Sequence, residues 1–541
     1  MKPRYKYIKK AADKGNAKGM YKYGLMLYNG EGVSIDKQEA SRYFKMSADK
    51  NYPDAAYYFG LMLYRGEEIP IDKHEASHYF KIAAEQGQTN AMYNYAFMLQ
   101  HGEGVETNKE KSFFYYKKAA CRGHLDSMFN LAVMLQNGDG VNSDIKQAIQ
   151  YFKKAARKGN LQSMNNYGLI LQQGIEIPVN KSKAALYFKI AADKGYIESM
   201  YNYGIMLSTG DGIPSDKKES NRYLKMAADR GHINAMYKFA TLISNGECGS
   251  SFSKEDAGYY LKMAADKGNA NAMNNYGWML QHGDGISANK EEGARYYKMA
   301  AEKGQKDAMY NYAWVLQHGD GIAVNKEEAA RFYKMAAEKG QINAMNNYGW
   351  ILQYGEGVTA NIIDAARFYK MAADGGHIKA MFNYAMMSFN GTGVDVNKIE
   401  SCTYFKMAAD KGHLDSMFSY AIMAFSGEGT EMDKSESCKY FKKAADCGHM
   451  KSIYKYAQLL YNGEGVTADK KEAMKYFKIA ADNGNINAMY HYGVIMARGL
   501  GVEIDRIEAC KYLKLAADSG HTNAFIVYQR LATGSQCLSC H

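Results

Sequence analysis

The chain has 541 residues, a formal net charge of +11, 23% charged residues, and 52 glycines against five prolines. That length exceeds what one compact core organises, so several domains or a repeat array are expected. The basic excess is mild, no apolar run approaches membrane-spanning length, and eight irregularly spaced cysteines favour a reducing, cytoplasmic setting over a disulfide framework.

Taken from the start, RYKYIKKAADKG (residues 4–15) reads as the second helix of a pair whose first helix is missing, without signal-peptide character. This orphan occupies residues 1–15 and implies that a kinase, a signal peptide or an anchor precedes it. From residue 16 to 520 one unit recurs. Its motif Y-x-Y-G/A, with variants, ends at Gly24, Gly60, Ala96, Ala132, Gly168, Gly204 and Ala240. It continues at Gly277, Ala313, Gly349, Ala385, Ala421, Ala457 and Gly493. Thirteen steps separate these fourteen units; all are 36 residues except one of 37, whose extra residue falls in GECGSSFSKED. HTNAFIVYQRLATG (521–534) is then a first helix without its second, expected to cap the array, and residues 535–541 form a short tail.

Each unit predicts two helices. In residues 271–304, the first spans about Ala272 to His282, GDGI turns the chain, and the second spans about Lys290 to Glu302. Met273, Tyr276, Gly277 and Leu280 follow helical spacing and mark the buried stripe, with Gly277 permitting close approach of the partner helix. Neither helix covers its stripe alone, so neighbours must stack.

These residues carry a resemblance. A-M-Y-N-Y-G-x-M-L-x-x-G-E-G-V…K-E-A-x-x-Y-F-K-M-A-A-D-K-G is similar to the Sel-1-like repeat, a relative of tetratricopeptide repeats, over essentially the whole chain. The resemblance implies an all-α, right-handed α/α superhelical solenoid of fourteen helix-turn-helix repeats with half-repeats at both ends. It also implies a non-catalytic adaptor or scaffold that binds protein or peptide partners and needs no cofactor. In some protists similar arrays are attached to kinases, so a regulatory repeat region of a larger protein is the alternative.

Chemical motifs do not displace that expectation. His74-Glu75-x-x-His78 has the zinc-protease pattern H-E-x-x-H. However, the register of Glu75 is acidic in eleven units and that of His78 is Lys or Arg in eight, so the repeat template supplies the motif. The terminal CLSCH (Cys537, Cys540, His541) matches a haem-attachment pattern with no following chain to enclose a haem. Cys402, Cys438 and Cys510 share one small-residue register, and GEG and GDG lack the Lys-Ser/Thr of a phosphate loop. Six histidines (His124, His232, His377, His413, His449, His521) recur at helix entries as loop chemistry.

The informative residues lie opposite the core stripe. At 100° per residue, Asn275, Trp278, Gln281 and His282 face away from Tyr276 and Leu280. The asparagine recurs as Asn94, Asn130, Asn166, Asn202, Asn311, Asn347 and Asn383. The three tryptophans share one register, Trp278, Trp314 and Trp350, and glutamine recurs as Gln100, Gln136, Gln172, Gln317 and Gln353. By the resemblance, first helices line a groove, where carboxamides meet a peptide backbone and tryptophans anchor it. The competing reading makes these residues ladders that tie neighbouring helices together. RNA binding is the rival class, disfavoured because Lys and Arg lie on second helices among Asp and Glu.

Overall fold

The computed structural model describes residues 4–249 and 252–533. Among them thirty α-helices run from Arg4–Asp13 to Thr522–Thr533, and there is no strand. The unit at 271–304 shows why each pair forms. Its helices are Ala270–His282 and Lys290–Glu302, within two residues of the spans expected from periodicity. Asn269 caps the first by accepting from the Ala272 N–H at 2.9 Å, and Asn289 caps the second by accepting from Glu292 N–H at 3.1 Å. Gly283, at φ 67°, stops the first helix in the left-handed conformation and donates back to the Met279 carbonyl.

Packing follows from one large ring and one small residue. A Cβ on Gly277 would lie 3.0 Å from the Tyr297 ring and 3.1 Å from the Gly293 carbonyl, so only a small residue lets these helices meet. Equivalent rings at Phe44, Phe80, Tyr116, Phe152, Phe188 and Phe441 are almost wholly buried. Each contributes about 1.5–3 kcal/mol of burial. Among the helices before Lys267, and again among those after Gly268, each helix packs on its neighbours in sequence, as in a nearest-neighbour solenoid. The helices divide into two compact units, one ending at Lys267 and one beginning at Gly268, and each is an α/α stack in its own right. The extra residue of the 37-residue step falls in a loop that closes on a capping box between Ser253 and Asp256.

Two ladders join successive repeats. The lysine that begins most second helices reaches the acid of the next G-E-G or G-D-G turn, 30 residues on: Lys73–Glu103 at 2.7 Å, Lys290–Asp320 at 2.6 Å and Lys434–Glu464 at 3.0 Å. A second-helix tyrosine donates to the aspartate ending the previous second helix, as Tyr79 does to Asp49 at 3.1 Å and Tyr476 to Asp446 at 2.9 Å.

Candidate functional site

Trp278, Trp314 and Trp350 each follow the small residue that faces the second helix (Gly277, Ala313, Gly349), and one residue further is 100° round the helix. Their side chains therefore leave the core and are 44%, 39% and 39% exposed. Two are held in place by a histidine one turn on. The His282 ring stacks on Trp278 at 4.5 Å and its Nδ1–H donates to the Trp278 carbonyl at 2.9 Å. His318 does the same for Trp314, at 4.3 and 2.8 Å, and Tyr354 takes this place beside Trp350 at 5.2 Å. Trp278 and Trp314 flank one cleft of about 330 Å³, with Tyr297, Tyr310 and Asn311 in its walls and the Lys290–Asp320 pair among its lining residues.

The carboxamides behave differently from the tryptophans. The asparagines are half-buried, and several are already bonded to the preceding repeat, 37 residues back. Asn202 Nδ2 donates to Asn165 Oδ1 and Asn311 Nδ2 to Asn274 Oδ1, both at 2.9 Å. Asn275 and Asn347 accept through Oδ1 from the preceding asparagine of their own helix, Asn274 at 3.3 Å and Asn346 at 3.2 Å. The glutamines turn toward the second helix. Gln317 and Gln353 accept from Tyr333 and Tyr369 Oη at 3.0 Å, and Gln100 from Tyr116 at 3.2 Å. Burial pushes those phenols far above their ordinary range, so the acceptors are what make the buried hydroxyls tolerable. Gln281 departs furthest from the facing inferred at 100° per residue: it is only 7% exposed and donates to the Lys290 carbonyl at 3.1 Å. The cause is Gly293, where a Cβ would lie 3.0 Å from Gln281 Cγ; the glycine leaves room for the side chain to fold inward.

An aromatic residue also stands in the tryptophan register of an earlier repeat. Phe97 packs against His101 in a tilted pair at 4.1 Å, and His101 Nδ1–H donates to the Phe97 carbonyl at 2.9 Å, as the histidines beside Trp278 and Trp314 do to theirs. Leu61, Tyr93, Asn94 and Phe97 line a cleft of about 210 Å³ in the register of the Trp278–Trp314 cleft. The sequence signal was an aromatic residue four before a histidine.

The other motifs resolve locally. His74 and His78 lie exposed on the helix Lys73–Glu85, while the Glu75 N–H donates to Asp72 and its carboxylate pairs with Lys45 at 3.3 Å. No group of three or more His, Cys, Asp or Glu among the described residues is placed to hold a metal ion. The CLSCH tail lies outside the described residues. Cys402 and Cys438 are buried, which pushes their thiols up and away from reactivity. The helix-entry histidines are caps: His124, His232, His377, His413 and His521 accept an N–H three residues on. No helix is long and apolar enough to cross a membrane among the described residues.

The Sel1 repeat pattern matches fourteen consecutive segments, from 17–52 through 233–269 to 486–521. A protective antigen present in uropathogenic Escherichia coli strains, displaying an SLR fold, is similar over 98% of this chain and 97% of its own, with a TM-score of 0.51 and 21% identity. A Sel1 repeat protein from Oxalobacter formigenes is 26% identical over 58% of this chain and 89% of its own, with a TM-score of 0.46. No curated protein matches the chain. The fourteen matched segments cover nearly every described helix pair, and the chain belongs to the Sel1 repeat family.

Proposed function

We propose that the chain is a non-catalytic, cytoplasmic scaffold that binds protein or peptide partners on its first-helix face, with Trp278, Trp314 and Trp350 as anchors. One observation carries this reading: three tryptophans in a single register, each more than a third exposed. Exposed tryptophan in a row is costly in water and is enriched where partners dock. The family supports the binding role, since Sel1 repeats form interaction scaffolds.

The asparagines play a smaller part than the tryptophans in this reading. Asn202 and Asn311 use a donor to tie adjacent repeats, which favours the structural account of that ladder. In the helix Thr522–Thr533, Gln529 occupies the register of Gly349, where a Cβ would meet the Tyr369 ring at 3.1 Å.

The test is to isolate partners by pull-down and then titrate them against Trp278→Ala, Trp314→Ala and Trp350→Ala. Each variant should melt near wild type and bind more weakly by about 2 kcal/mol. Early melting with undiminished binding by the folded fraction would assign the tryptophans to the core.

A further inference from the structure

A different part of the same stack departs from the repeat pattern. Two repeats in succession place a lysine just past the second helix, and it reaches back over the glycine of the preceding unit. A Cβ on Gly268 would lie 3.6 Å from Lys303 Nζ, and one on Gly304 would lie 3.6 Å from Lys339 Nζ. At the next step the sequence reads Asp374-Gly375-Gly376, and no lysine stands past the helix to reach back over Gly340. Gly375 has φ −73°, an ordinary value, so its backbone does not require glycine. What the glycine provides is room for Ile342, which a Cβ there would meet at 3.1 Å, and a cavity of about 830 Å³ opens beside them.

The lining has a consistent chemistry. Lys306 and Lys379 contribute cations with no ion-pair partner among the described residues, against the single carboxylate of Asp307. His377 is committed to capping the Ala380 N–H at 3.1 Å. Asn346, also in the lining, has a buried Oδ1 with no hydrogen-bond partner. In two other repeats the matching residue accepts from the asparagine 37 residues on, as Asn274 does from Asn311 and Asn165 from Asn202. The uncovered cavity and the orphaned acceptor therefore occur at one junction.

We propose that this cavity binds an acidic peptide segment. A glutamate or aspartate of the ligand meets Lys306 and Lys379, and rotation of the Asn346 side chain presents its buried Oδ1 to a ligand backbone N–H. A peptide fits better than a nucleic-acid strand. A nucleic acid carries its donors on bases and ribose, away from the phosphates, and Asp307 opposes closely spaced phosphates, whereas a peptide offers an N–H on the same short backbone that bears its carboxylates. The site does not depend on the tryptophan face.

The experiment is fluorescence anisotropy of a fluorescein-labelled octapeptide of alternating glutamate and glycine, titrated with the full chain. Wild type should bind, and Gly375→Gln, which fills the cavity without adding charge, should weaken binding at least about tenfold. Lys379→Gln should also weaken binding, and Lys451→Gln, the same register two repeats on, should leave it unchanged. Circular dichroism checks that Gly375→Gln is folded; if it is not, Lys379→Gln, an exposed change that leaves the backbone untouched, decides alone. No peptide binding by wild type, or undiminished binding by the folded variants, would overturn the proposal. So would an oligouridylate octamer that binds in the peptide's place with the same sensitivity to these changes.

Discussion

Residues 270–377 and residues 378–485 are each three repeats on one frame, yet they satisfy the same positions with different chemistry. In the first stretch the buried second-helix ring is tyrosine (Tyr297, Tyr333, Tyr369), and the hydroxyls of Tyr333 and Tyr369 are taken up by Gln317 and Gln353. In the second it is Phe405, Phe441 and Phe477, and the glutamine register holds Phe389, Phe425 and Tyr461. The neighbouring ring changes in the opposite sense. Phe332 and Phe368 have no hydroxyl, whereas Tyr404, Tyr440 and Tyr476 donate to Asp374, Asp410 and Asp446. The frame thus tolerates exchange provided each buried hydroxyl keeps an acceptor. The tryptophans satisfy no such need. Their register holds Met386, Ile422 and Gln458 in the second stretch, so packing does not demand an indole there.

Four experiments sharpen or break that comparison. The largest effect should be the same on both sides: Tyr369→Ala and Phe405→Ala should each cost about 3–5 kcal/mol in urea denaturation, because both rings fill the closest helix contact. A marked inequality would mean that the two stretches do not share a core. Next, Gln317→Leu should cost about 1–3 kcal/mol by stranding the Tyr333 hydroxyl. Combining Gln317→Phe with Tyr333→Phe should recover most of that loss, because it recreates the Phe389–Phe405 pair.

The third effect depends on pH. His377 and His413 accept N–H bonds as caps, and burial holds both below the ordinary 6.5. A lowered folded-state value means that protonation favours the unfolded chain. Their contribution is therefore full above about pH 6.5 and lost as pH falls through the folded values. Tm should fall with acid in that window, and His377→Asn, which copies the Asn269 cap, should reduce the fall. An unchanged slope would remove the cap from the explanation. The smallest effect concerns the lysine ladder. It holds at Lys398–Glu428 but is absent at Ile362 and Thr392. Installing Ile362→Lys with Thr392→Glu should add about 0.5 kcal/mol or less, since the pair is solvent-exposed, and a double-mutant cycle measures it.

Much of the fold was legible because a 36-residue period shows the same helix pair fourteen times, and Asn, Asp and Gly mark its ends. The site was legible only in part. Rotation at 100° per residue located Trp278 correctly but said nothing of Gly293, whose missing side chain lets Gln281 fold inward. The glutamine–tyrosine bonds span 16 residues and the asparagine rungs 37. These offsets belong to packing between helices, and the pattern within one helix does not contain them. The helix-entry histidines were recognised as regular, but their capping role needed the backbone.

The central claim is that the tryptophan row is a binding face, and the chain's three tryptophans report on it directly. The decisive measurement is acrylamide quenching of tryptophan fluorescence, with and without a purified partner that itself lacks tryptophan. The free chain should be strongly quenched. With partner bound, quenching should fall and emission should shift to the blue as the indoles leave water. Saturating partner with unchanged quenching would place the interface elsewhere on the array and contradict the account.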